Sequence, residues 1–171
     1  MRTPSIFFLA IVFGIVNSSR AQHVNSETST ASAVESAVRK LFEGMRTGDS
    51  TMVRNAFGAE VTLATVATNK AGKLVLERES SVDGFVTAVG TPHTKAWNEE
   101  TWNYKVLIDG DFAQVWCDYA FYLGDTFSHC GVDAFHLYRM DGEWKIFHLA
   151  DTRRTVDCNI PLTIKARHDK K

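Results

Sequence analysis

The run His129-Cys130-Gly131-Val132-Asp133-Ala134-Phe135-His136-Leu137-Tyr138-Arg139-Met140, the dipeptide Asp141-Gly142, and then Glu143-Trp144-Lys145-Ile146-Phe147-His148-Leu149-Ala150-Asp151-Thr152-Arg153-Arg154 decide the fold of this chain. Two β-rich runs joined by Asp-Gly predict a hairpin. Its acids and histidines stand among aromatic and aliphatic neighbours, the composition of a pocket wall. Working outward, Thr101–Ile108 and Phe112–Leu123 alternate in the same manner, and Asp109-Gly110 and Gly124-Asp125 divide them from their neighbours. The segment from 101 to 154 therefore reads as a long antiparallel meander. Further upstream, the β-branched stretch Glu60–Thr68 predicts a strand with Lys73–Glu79 as its partner.

The N-terminal part has a different period. Ser32-Ala33-Val34-Glu35 fits a capping box at a helix start. Val34, Ala37, Val38, Leu41, Phe42 and Met45 share one helical face, and Gly48 is placed to end the helix in a left-handed conformation. Asp49 can cap a second helix carrying Met52, Val53, Ala56 and Phe57. A third apolar-periodic piece, with Val82, Phe85, Val86 and Val89, starts at Ser81 and stops at Gly90 and Pro92. Helices that feed a strongly bent antiparallel sheet make an α+β class, with the sheet wrapped around the helices.

Arg2, the apolar run Ile6–Val16 and the small residues up to Ala21 follow the order of a secretory signal peptide. The apolar run is about half of the ~20 residues a spanning helix needs, so no stable membrane anchor is expected after processing. The reading divides the chain into a signal peptide (1–21), a flexible lead-in (22–31), one domain (32–157) and a C-terminal tail (158–171), with a secreted or periplasmic destination. The whole sequence has a net charge of −1. Removing Arg2 and Arg20 makes it more acidic, which argues against nucleic acid as a partner. The basic end Lys165–Lys171 reads as a solvated terminus. Cys117, Cys130 and Cys158 contain no CxxC and no paired Cys/His cluster, so no metal site is expected. Cys130 opens one strand and Cys158 follows the end of its neighbour, which favours a Cys130–Cys158 disulfide. Cys117 and Cys130 lie too far out of alignment to bridge.

The helix around Ala37-Val38-Arg39-Lys40-Leu41-Phe42-Glu43-Gly44-Met45 with its Gly48-Asp49 break, the strand Val115-Trp116-Cys117-Asp118-Tyr119, and the His129-Cys130-Gly131 and Gly142-Glu143-Trp144-Lys145-Ile146 segments resemble the nuclear transport factor 2-like superfamily. Within it they are similar to small bacterial lumazine-binding or polyketide-cyclase (SnoaL)-like proteins. The resemblance covers roughly Ser32 to Cys158. It implies a cone-shaped shell with an internal cavity, used by relatives as an isomerase-like, dehydratase-like or hydrolase site or as a plain ligand or partner surface. Fold membership alone does not decide among these.

If Asp141-Gly142 forms a two-residue turn, Arg139 faces Trp144, Leu137 faces Ile146, Phe135 faces His148 and Asp133 faces Ala150. Asp133 and His148 are then diagonal neighbours on one face, able to act as a general acid/base pair. The preceding hairpin puts Asp118 across from Asp133, where two acids in an apolar cavity would leave one protonated. A one-residue slip reverses every side chain, putting His136 in the pocket and Asp133 outside it. Phe42, Met45, Phe85, Trp102, Trp116, Phe135, His136 and Trp144 are the expected pocket wall, the tryptophans serving the core first. Arg153 and Arg154 are expected to pair with acids on a helix. The resulting expectation is an exported protein that binds a mostly apolar, ring-containing molecule without a cofactor. The alternative is a cofactor-independent acid/base enzyme of isomerase, dehydratase or cyclase type. A homodimer through the sheet face is a third use of the fold.

Overall fold

A computed structural model describes residues 18–169, with side chains from Ser29 onward. The apolar run of the expected signal peptide lies outside the described residues. Helix α1 (Ser18–Thr47) buries Val34, Val38, Leu41, Phe42 and Met45, the stripe expected from the spacing. It begins well before Ser32, so the capping box sits inside the helix and the segment 22–31 is helical rather than a loose lead-in. Neither glycine nor proline interrupts the sequence from 18 to 43, and nothing local stops the helix there. Gly48, at a φ of +72°, turns the chain out of α1. Asp49 then caps α2 (Ser50–Ala56) by accepting from the Met52 amide at 2.8 Å.

Strands β1 (Phe57–Thr68) and β2 (Leu74–Glu79) form the first hairpin, and α3 (Asp83–Gly90) follows. The meander is β3 (Trp97–Asp109), β4 (Phe112–Leu123), β5 (Thr126–Met140) and β6 (Glu143–Arg153). All six strands form one curved, unclosed sheet in the order β2-β1-β6-β5-β4-β3. Every pairing is antiparallel except β1 with β6. The helical side chains pack into the concave face against Val115, Phe135, Leu137 and Ile146, with the Phe42 and Phe135 rings edge to face at 6.0 Å.

Residues 158–171 were expected to be a free tail, but the described part is docked. Cys158 is bonded to Cys130 as expected, with Cα atoms 5.7 Å apart. Helix α4 (Leu162–His168) then lies on the convex face, burying Ile164 against Ala120, Tyr122 and Cys130. His168 is buried too, stacked on Tyr122 at 3.7 Å between ring centroids. Apolar surface on that face, with Glu100 reached by both Arg167 and His168, docks a segment whose charge alone suggested solvent.

Candidate functional site

The β5–β6 hairpin begins as expected, with Arg139 opposite Trp144 and Leu137 opposite Ile146. A β-bulge at Phe147 then shifts the pairing by one, so His136 faces His148, Phe135 faces Leu149 and Asp133 faces Asp151. The bulge moves His148 to the face opposite Asp133. There Thr62 Oγ1 lies 2.7 Å from its Nδ1, and burial, then His136 and Arg78, push its pKa down. The expected Asp133–His148 pair therefore does not form, and no carboxylate raises this imidazole. Asp118 is also displaced. A tight turn at Gly124-Asp125 and an irregularity between Phe121 and Tyr122 pair Asp118 with Val132 and Cys117 with Asp133. Asp118 is left on the convex face, accepting from Asn103 Nδ2 at 2.7 Å.

Of the expected pocket wall, Phe42, Met45, Phe135 and Trp144 are buried in the core, and Phe85 packs against it. His136 lies on the convex face with Phe112 and Phe147. Trp116 is 44% exposed there, since its neighbour Cys117 points inward. Trp102 packs under the C-terminal segment.

What the concave face brings together is a set of carboxyl groups. Asp133, only 3% exposed, sits between Cys117 on β4 and Asp151 on β6. Its partner is Glu99 on β3, hydrogen-bonded to it carboxyl to carboxyl. Asp133 Oδ2 has no hydrogen-bond donor among the described residues, and a proton held between the two acids would satisfy it. Burial holds the Asp133 carboxyl well above the usual range. The Glu99 charge, the hydrogen bond between them and Asp151 add to this, and Arg153 opposes it. Burial likewise pushes Glu99 up to about 7, against the hydrogen bond to Asp133 and with a further push from Asp151. The two therefore titrate as a pair that passes from two protons to one as pH rises through about 7.

Asp151 completes the group. It accepts from Thr65 Oγ1 at 2.5 Å and from Arg153 Nε at 2.7 Å, and the Tyr119 hydroxyl lies 3.2 Å from it while donating to the Thr152 carbonyl at 2.9 Å. Arg153 thus pairs with an acid on its own strand rather than on a helix. An aromatic run borders the carboxyls: His93 stacks on Trp97 at 4.3 Å, Trp97 meets Phe121 at 6.3 Å, and Phe121 meets His129 at 5.2 Å. Burial and then Arg153 lower the His129 pKa, keeping that imidazole neutral. The arrangement can donate one hydrogen bond, accept another and exchange a proton beside an aromatic surface.

A separate groove of about 780 Å³ lies between α1, α2 and the β5–β6 turn and shares no residue with the carboxyl cluster. Two of its charged groups have partners: Lys145 Nζ is held by Glu143 and by the Asn55 carbonyl, and Asp49 caps α2. Among the described residues no group of three or more His, Cys, Asp or Glu side chains is arranged to hold a metal ion. No helix there is long and apolar enough to cross a membrane.

The nearest signal for Glu99 in the sequence was Trp97-x-Glu99-x-Thr101, an alternation ending where Asn103 adopts a φ of +54°. That irregularity reverses the phase of β3, so counting back from the inward Tyr104 and Val106 puts Glu99 on the wrong face.

Comparison with known proteins agrees with this architecture. A nuclear transport factor 2-like protein with a cystatin-like fold from Novosphingobium aromaticivorans superposes with a TM-score of 0.62 at 10% identity, covering 92% of this chain and 100% of that one. A nuclear transport factor 2-like protein from Shewanella baltica gives 0.55 at 19% identity, over 81% and 99%. A putative scytalone dehydratase from N. aromaticivorans gives 0.60 at 11% identity, over 77% and 89%. At these identities the likeness speaks to the fold. No curated protein matches the sequence. The family model described as "Putative lumazine-binding" matches residues 29–148, and the chain belongs to that family within the nuclear transport factor 2-like superfamily.

Proposed function

We propose that this chain is an exported small-molecule-binding protein that holds a ring-containing ligand on the concave face of its sheet. The observation that carries the reading is the carboxyl pair of buried Asp133 and half-buried Glu99 beside the Trp97–Phe121–His129 aromatic run. A ring stacked on the aromatic side would present a polar edge to one carboxyl donor and one carboxyl acceptor. The family description supports lumazine as the first probe. Export is supported by the order of residues 1–21 and by the Cys130–Cys158 disulfide, a bond that persists in oxidising compartments. Exposed Leu107, Phe112 and Trp116 on the convex face support self-association there, which sedimentation would detect.

Fluorescence titration with lumazine tests the binding reading. Asp133→Asn and Glu99→Gln should each weaken binding about 10- to 100-fold, from the ~1.5–3 kcal/mol of a charge-assisted hydrogen bond. His148→Ala should leave it unchanged. Equal affinity in all four proteins, or no saturable binding, would sink the assignment. The second reading is an acid/base enzyme of isomerase, dehydratase or cyclase type, favoured by a Glu99 carboxyl that titrates near 7. In that case Glu99, not His148, is the proton carrier. Glu99→Gln should then lower turnover by roughly 10²–10⁴.

A further inference from the structure

Glu99 and Asp133 stand on strands separated by β4, and their meeting depends on how those strands are held. On the convex face, Glu100, Ala120 and Cys130 form one row across β3, β4 and β5. Glu100 is the residue next to Glu99, and Cys130 lies three residues before Asp133. The C-terminal arm grips both ends of this row. Cys158 is bonded to Cys130 at the β5 end. Arg167 Nη2 donates to Glu100 Oε2 at 2.6 Å and His168 Nε2 lies 3.0 Å from Glu100 Oε1 at the β3 end. Between the anchors, Ile160 and Ile164 pack in one cluster with Ala120 and Tyr122. His168 Nδ1 also lies 3.4 Å from Asp125 in the β4–β5 turn.

We propose that the C-terminal arm is a strap whose two anchors, the Cys130–Cys158 bond on β5 and the Arg167–His168 clamp on β3, set the distance between Asp133 and Glu99. Glu100, Arg167 and His168 are then positioning residues for the carboxyl pair, acting from the opposite face of the sheet. With the strap released, β3 can move away from β5, water reaches the acids, and each ionises as an ordinary carboxyl. The other titratable and charged groups around the pair are Asp151 and Arg153 on β6, Cys117 and Tyr119 on β4, His129 on β5, and Arg39 of α1 over Tyr104. The Arg167–His168 clamp makes no contact with any of these groups, whereas the Cys130 anchor adjoins His129 in sequence and is bridged to Arg154 beside Arg153, so the clamp variants isolate the strap most cleanly.

The test is a pH titration of the side-chain carboxyl carbons by ¹³C NMR on the full chain without ligand. In the unaltered protein the expected Glu99 midpoint is near 7. Glu100→Ala, which removes both clamps, and Cys158→Ser, which cuts the other anchor, should each lower it by about one pH unit or more, toward the ~4.3 of a free glutamate. Arg167→Lys keeps a cation on Glu100 and should retain the unaltered midpoint. Folded Glu100→Ala or Cys158→Ser protein with the midpoint unmoved would overturn the strap. Should both fail to fold, the double change Arg167→Ala with His168→Ala removes the clamp while keeping Glu100, and a midpoint unmoved there is equally fatal. A purely structural arm would lower the melting temperature in these variants and leave the midpoint alone. The inference rests on the pair being the polar centre of the site, but no ligand enters the measurement. Its failure therefore leaves the lumazine titration as a separate question.

Discussion

Gly131→Ala is the substitution whose cost follows most directly from the geometry. A Cβ at this position would overlap the Thr152 carbonyl oxygen and would come within 2.8 Å of Tyr119 Cε1. The main obstacle is backbone, so no side-chain rotation relieves it, and β5 and β6 must part. Four hydrogen bonds tie that place together: Cys130 N to Arg154 O at 2.8 Å, Arg154 N to Cys130 O at 2.9 Å, Val132 N to Thr152 Oγ1 at 3.1 Å, and Tyr119 Oη to Thr152 O at 2.9 Å. Losing two or three of them at about 1 kcal/mol each, with some residual overpacking strain, gives a destabilisation of about 3–5 kcal/mol. For a chain of this size that is a fall in melting temperature of roughly 10–15 °C. Urea unfolding followed by tryptophan fluorescence, with the disulfide intact, measures it. A loss below about 1 kcal/mol would show that the strands do not approach as closely at Gly131 as described, and would undercut the geometry of the carboxyl cluster beside it.

Other outcomes follow from the same contacts. The raised Glu99 carboxyl contributes stability that is present below its unfolded value of 4.5 and lost as pH rises through about 7. This corresponds to about 3 kcal/mol. The unfolding free energy of the unaltered protein should therefore fall as pH rises from about 4.5 to about 7, and Glu99→Gln should flatten the curve; equal slopes would refute the shift. Cys158→Ser opens a link across 28 residues of sequence and should cost about 3–4 kcal/mol, measured by denaturant midpoint. A midpoint no lower than that of the unaltered protein would contradict the bond. Asp118→Asn alters a convex-face acid and should leave lumazine affinity within about twofold; a tenfold loss would return Asp118 to the site.

Much of the fold was legible because the periodicities are long and the turns are chemically marked. The stripe from Val34 to Met45 needs only a period near 3.6, and the Gly48, Asp109-Gly110 and Asp141-Gly142 breaks carry the backbone preferences that turns require. The disulfide was legible for a related reason, since two strand ends that neighbour each other bring Cys130 and Cys158 close whatever the exact register. The site was only half legible. Asp133 was one of two residues, with His136, that the register could turn inward, and its partner depended on single-residue irregularities. The bulge at Phe147 sends His148 outward, and the reversal at Asn103 brings Glu99 inward. Neither leaves a strong mark in residue type, and each inverts the facing of everything beyond it. The docking of α4 was hidden differently. Lys165, Arg167 and His168 look like a solvated end until Glu100 and Tyr122 are seen beneath two of them.

The central claim is that Glu99 and Asp133 share one proton at the polar centre of the concave face. Titrating the side-chain carboxyl carbons of the unaltered protein by ¹³C NMR tests it most directly. The account predicts one glutamate that changes state near pH 7 and one aspartic acid that keeps its proton at that pH. Every aspartate and glutamate already ionised by about pH 5, as free side chains are, would contradict it.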